Sequence, residues 1–164
     1  TEDAVLAEIF LEGIADNGFA IGLAYIPTRD MGAKSRSDAN SNGDTGTYKA
    51  EAELENVIQA YVDVPITQYG GATLYGKLGI QHATVKTLES LNSGSTYPDA
   101  DLFGYTLGLG ARGDLPYGDG LIYKLDLTYT DFEDYSESAA DGNGNSITAD
   151  LEDTAFKISV GKKF

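Results

Sequence analysis

The sequence contains no cysteine, which excludes a disulfide framework and any thiolate metal site. Tryptophan is also absent, and methionine and histidine occur once each, as Met31 and His82. A Ser–His–Asp type triad would have to use His82, and no nucleophile motif accompanies it. Basic residues are scarce: 11 Lys and Arg against 26 Asp and Glu leave a formal charge of -15. That balance argues against nucleic acid, whose phosphates need clustered bases. Long apolar runs are missing too. The longest, near Phe19–Pro27 (FAIGLAYIP), is far too short for a spanning helix. No signal-peptide pattern is present, as expected of a mature or trimmed chain.

What is there is glycine (20) and tyrosine (11), a mixture that favours strands and tight turns. The 164 residues suit a single domain, residues 1–164, long enough for a small closed barrel. Seven segments alternate: 4–15, 19–28, 48–66, 72–88, 102–115, 121–130 and 154–164. In LIYKLDLTYT, Leu121, Tyr123, Leu125, Leu127 and Tyr129 share one parity while Lys124, Asp126, Thr128 and Thr130 share the other. Period two is a strand, because a helix would scatter those charges around its cylinder. The connections alternate as well. DNG (16–18), TQYGG (67–71) and YGDG (117–120) are short turns, whereas 29–47, 90–101 and 131–153 read as long polar loops. An antiparallel meander with that rhythm has every tight turn at one end and every long loop at the other. The fold class predicted is all-β: an antiparallel up-and-down barrel.

The charged parity gathers both signs. Glu53, Glu55, Asp63, Lys77, Arg112, Lys124, Asp126 and Lys157 form the predicted inner charge network, with Glu8 and Glu12 on a less regular first strand. The opposite parity, from Ile58 and Val62 through Leu78, Leu107 and Leu125 to Ile158 and Val160, is nearly free of charge. In a soluble lipocalin-like barrel the apolar parity would line a ligand cavity. In a transmembrane barrel it faces lipid, and the charged parity fills the lumen. Glycines on the charged parity, and Tyr123 and Tyr129 bracketing an apolar stripe as interfacial aromatics do, favour the transmembrane form. An eight-stranded barrel is only just wide enough for side chains to fill it, so the mixed charges point to a salt-bridged plug. A narrow passive channel for ions or small solutes is the alternative.

The chain ends in AFKISVGKKF, with Phe156, Ile158, Val160 and Phe164 at alternate positions. This resembles the last strand of bacterial outer-membrane β-barrels, and the whole chain resembles the small eight-stranded barrels of the outer-membrane protein A and X type. Lys162 departs from the pattern, where an apolar residue is usual. The resemblance implies a bacterial outer-membrane location and contact with membrane lipid and lipopolysaccharide. It also implies that Phe156, Ile158, Val160 and Phe164 are the signal read by the barrel-assembly machinery. On this basis the chain is expected to be a non-enzymatic structural or surface-interaction protein.

Such barrels have even strand numbers, and seven strands are visible. The expectation is therefore that one strand is missing, lost upstream of Thr1 or supplied by another chain, and that it lies between residues 4–15 and 154–164. The acidic loops suggest one cofactor. Asp141, Asn143, Asn145 and Glu152 follow calcium-loop spacing, although Ser146 stands where such a loop needs glycine. Weak Ca²⁺ binding is the sharper reading of that loop, and a solvated surface segment the plainer one.

Overall fold

The computed structural model describes residues 8–39, 45–90, 97–116, 120–138 and 146–162. All regular structure among them is β. The strands are β1 (Ile9–Ile14), β2 (Ala20–Ile26), β3 (Arg29–Ala39), β4 (Thr45–Tyr69), β5 (Ala72–Ser90), β6 (Ala100–Asp114), β7 (Leu121–Phe132), β8 (Tyr135–Ser138), β9 (Ser146–Ala149) and β10 (Glu152–Lys162). Seven of them make the wall in the order β1-β2-β4-β5-β6-β7-β10, each antiparallel to its neighbour. The seven alternating segments of the sequence are these seven staves.

The wall curls into a half-barrel because its two faces have different chemistry and volume. Inward residues include Ala20, Ala24, Tyr61, Asp63, Tyr75, Lys77, Arg112, Lys124 and Asp126, all buried. Outward residues are large and apolar: Leu23, Ile58, Leu78, Ile80, Leu107, Leu109, Leu127 and Ile158 are all exposed. Inward glycines let the wall bend around aromatic rings. Gly22 lies opposite Tyr61, and Gly104 opposite Phe132. In each case a Cβ on the glycine would overlap the ring. A ring laid over a cross-strand glycine is a known device for curving a sheet while filling its concave side.

Tight turns close one end. Ala15–Phe19 uses Gly18 at φ 85°, and the β4–β5 hairpin uses Gly70 and Gly71 at φ 59° and 84°. Part of the third turn, residues 117–119, lies outside the described residues. The opposite end differs from the sequence reading. Residues 29–39 and 45–47, read as parts of a loop, instead continue the wall: β3 pairs with the first half of the 25-residue β4, and residues 40–44 lie outside the described residues. A backbone ladder already formed between β2 and β4 propagates without needing an apolar face. The long connection after β7 likewise contains a two-stranded hairpin, β8–β9.

A bulge in β4 re-aims its side chains. Asn56 takes φ 51°, and the β4–β5 register shifts between Glu55 and Ile58. One extra residue reverses parity. Leu54 and Val57 therefore both point inward, fully buried, while Glu53 and Glu55 leave the inner face. Pro27, which has no N–H to offer a ladder, separates β2 from β3 next to this bulge.

Candidate functional site

The interior is stratified along the barrel axis, and β5 displays the sequence of layers. Its inward residues run Tyr75, Lys77, Gly79, Gln81, Ala83, Val85 from the tight-turn end to the loop end. Charge gives way to neutral polarity, and that gives way to hydrocarbon.

The charged layer contains three carboxylates, Glu12, Asp63 and Asp126, and three cations, Lys77, Arg112 and Lys124. Asp63 is its hub. Its Oδ2 accepts from Lys124 Nζ at 2.9 Å and lies 3.6 Å from Arg112 Nη1, and its Oδ1 lies 3.1 Å from Lys77 Nζ. Asp63 Oδ1 has no well-aligned donor, so the Lys77 contact is an ion pair rather than a hydrogen bond. Lys77 also stands 3.5 Å from Asp126 Oδ1, which accepts from Tyr75 O–H at 2.9 Å. Glu12 accepts from Arg112 Nη1 at 2.5 Å, from Tyr61 O–H at 2.8 Å, and from Lys124. Arg112 further donates to the Gly18 carbonyl in the turn, tying the layer to the end of the barrel.

Aromatic faces complete the cage. Lys77 Nζ is 3.5 Å from the Tyr61 ring centroid, Lys124 Nζ is 5.4 Å from that of Phe10, and the Arg112 guanidinium is 5.1 Å from that of Tyr75. A buried ion set persists when its charges balance and its hydrogen bonds are met. Equal numbers of each sign meet the first condition, and two tyrosine hydroxyls help to meet the second, with Asp63 Oδ1 held by ion pairing alone. Stagger between staves makes the meeting possible. Glu12 is paired by register with Gly22, yet its carboxylate crosses the interior to Arg112 on β6 and Lys124 on β7.

Above this lies a neutral polar layer. Gln59 and Gln81 both donate to Thr106 Oγ1 at 3.0 Å, Gln81 reaches Thr130 Oγ1 at 3.1 Å, and the two hydroxyls lie 2.9 Å apart. The loop end is apolar. Ile26, Leu54, Val57, Ala83, Val85, Leu102 and Phe132 form one buried cluster, and Tyr135 joins it from β8 with Ala149 and Leu151 packed alongside. Tyr135 O–H donates to the Pro98 carbonyl at 2.8 Å. The β8–β9 hairpin thus lies as a lid on the apolar layer.

Of the charge network read from the sequence, Asp63, Lys77, Arg112, Lys124 and Asp126 come together. Lys157 faces inward apart from them, pairing with Glu8 at 2.5 Å. Glu53 and Glu55 are corrected by the Asn56 bulge: Glu55 pairs instead with Lys86 at 2.8 Å, away from the cluster. The eight-residue network read from the sequence gains Glu12, which the sequence sets beside it on the less regular first strand, and the hydroxyls of Tyr61 and Tyr75. Glu12 shares its parity with Phe10 and Ile14, so periodicity gave it no distinct signal. Its role follows only from reach across the interior.

Tyr129 is exposed and Tyr123 half-buried, on either side of Leu125 and Leu127. Phe156, Ile158 and Val160 point outward, and Phe164 lies outside the described residues. His82 is half-buried on the outer face, edge-on to Phe103 with ring centroids 5.0 Å apart. Of the calcium-loop positions, Asp141, Asn143 and Asn145 lie outside the described residues. Glu152 groups instead with Asp131 and Asp150, all exposed, their carboxylates within 4.8 Å of one another. No protein-family model, curated protein or solved structure matches this chain.

Proposed function

We propose that this chain is the wall of a transmembrane β-barrel in the bacterial outer membrane, a non-enzymatic structural or surface-interaction protein with a plugged interior. One observation carries the reading: the molecule is inside out. Its charged side chains are buried, Asp63 at 0% exposure and Lys124 at 2%, while Leu11, Leu107 and Ile158 stand 63–75% exposed on the other face. Soluble proteins rarely expose contiguous apolar patches beyond a few hundred Å². Hydrocarbon accepts such a belt, and strands can cross it because neighbouring staves pair their backbone groups with each other. The long connections, rich in acid, would face outward into water and meet surface partners, with lipid and lipopolysaccharide around the belt. Biogenesis would use the barrel-assembly machinery. The balanced ion layer and the apolar layer above it both argue against a through-path, which favours a plug over a channel.

The absence of tryptophan supplies a direct test. A Leu107→Trp variant reconstituted into bilayers with brominated acyl chains should be strongly quenched, and Asp101→Trp weakly. An unquenched Leu107→Trp in a protein that stays monomeric without detergent would end the membrane reading. Ion-selective conductance in planar bilayers would replace the plug with the channel.

A further inference from the structure

The first and last staves face each other without pairing. Seven antiparallel staves force β1 and β10 to run the same way. Among the described residues no backbone hydrogen bond joins them, and β1 pairs only with β2 and β10 only with β7. The seam is bridged by side chains alone. Lys157 Nζ reaches Glu8 at 2.5 Å, and a Cβ on Gly161 would lie 3.3 Å from Cζ of Phe10. Neighbouring strands sit about 4.8 Å apart and exchange backbone bonds. Here long side chains meet beneath two edges whose backbones do not. Along each edge, alternate N–H and C=O groups therefore point into the gap, an arrangement that hydrocarbon penalises by several kcal/mol per group.

We propose that this seam is an acceptor for one extended peptide segment that is neither one of the seven staves nor a second barrel. The proposal deepens the barrel reading and rests on it. Direction follows from the staves: only a strand antiparallel to both β1 and β10 completes the alternation. Side-chain chemistry follows from the two faces. Ile9 and Leu11 on one side, and Phe156, Ile158 and Val160 on the other, are all at least 64% exposed, so outward positions of the guest are large and apolar. Inward positions are small and uncharged, because the Phe10 ring and the Glu8–Lys157 pair already occupy the space beneath and already balance. A tilted stave of about 9–11 residues spans the belt. The guest is thus a segment of that length, Leu or Val alternating with Ala, Ser or Gly.

The test uses the 164-residue chain in detergent micelles and a synthetic ten-residue peptide of that alternating composition, with amide hydrogen exchange as the readout. Alternate amides of β1 and β10 should exchange fast without peptide and about tenfold or more slowly with it, while β5 and β6 are unchanged. A peptide with a central proline should protect neither edge, since it cannot complete the ladder. Slow exchange at both edges without peptide would mean direct closure and overturn the proposal. Protection that tracks protein concentration, with a doubled mass, would assign the seam to a second copy and overturn it equally. Unchanged exchange at saturating peptide would remove the acceptor role. None of these outcomes depends on whether micelles are needed for solubility, which separately tests the membrane reading.

Discussion

At the tight-turn end the interior is closed by Glu12, Asp63, Lys77, Arg112, Lys124 and Asp126; at the loop end it is closed by Leu54, Val57, Val85, Leu102 and Phe132. The same staves supply both, so the difference lies in position along a strand rather than in which strand is used. The two closures fail differently. An ion cluster depends on every member, because removing one leaves an uncompensated buried charge. A hydrocarbon cluster loses contact area in proportion to what is removed. The tight-turn end is therefore the more specific packing layer and the loop end the more tolerant one. The loop end also has a covering element, the β8–β9 hairpin, which a tolerant packing surface can accept.

The sharpest way to break this contrast is Asp63→Ala. It strands Lys77, Lys124 and Arg112 together and should lower unfolding stability in micelles by about 3–5 kcal/mol, measured by urea titration. A loss below about 1 kcal/mol would place water, not ion pairs, in that layer. Next is Leu54→Ala at the opposite end, expected to cost about 3 kcal/mol with no dependence on salt. Its failure to destabilise would return Leu54 to the outer face and restore Glu53 and Glu55 to the interior. Gly110→Ala probes the join between wall curvature and ion layer. Its Cβ would overlap the Tyr75 ring and dislodge the hydroxyl from Asp126, an overpacking loss of about 1–3 kcal/mol. Removing the hydroxyl as well, in Gly110→Ala/Tyr75→Phe, should not worsen the loss further if the bond to Asp126 is already broken. The smallest effect is expected for Glu55→Gln, whose partner Lys86 keeps 40% of its side chain exposed to solvent. Its urea midpoint should match that of the wild type, whereas a loss on the scale of Asp63→Ala would mean that Glu55 lines the interior.

Much of this was legible in LIYKLDLTYT and its counterparts. A strand turns each successive side chain to the opposite face, so period-two patterning located all seven staves, and the outward rows through Leu107, Leu125 and Ile158 could be read directly. Five of the eight charges predicted for the network meet in it. Local pattern failed where local geometry changed. Nothing in AELENVIQ announces that Asn56 adopts a positive φ and reverses the parity of Glu53 and Glu55. Polar segment 29–47 lacked the apolar alternation that marks a wall strand, yet backbone pairing with β4 carried its residues 29–39 onward from β2.

The sequence by itself determined where the seven staves lie, which short segments turn between them, and that one face is greasy and the other charged. Those properties follow from the pleat and from turn residues, each settled within a few positions along the chain. Tertiary structure alone decided that Glu12 serves Arg112 and Lys124, that Asp63 is the hub, and that Lys157 pairs with Glu8 across an unpaired seam. Those partners lie far apart in sequence and meet only because the staves are staggered and the wall is curled. How far a side chain must reach across the interior is set by the whole curled wall at once, and no short stretch of sequence contains it.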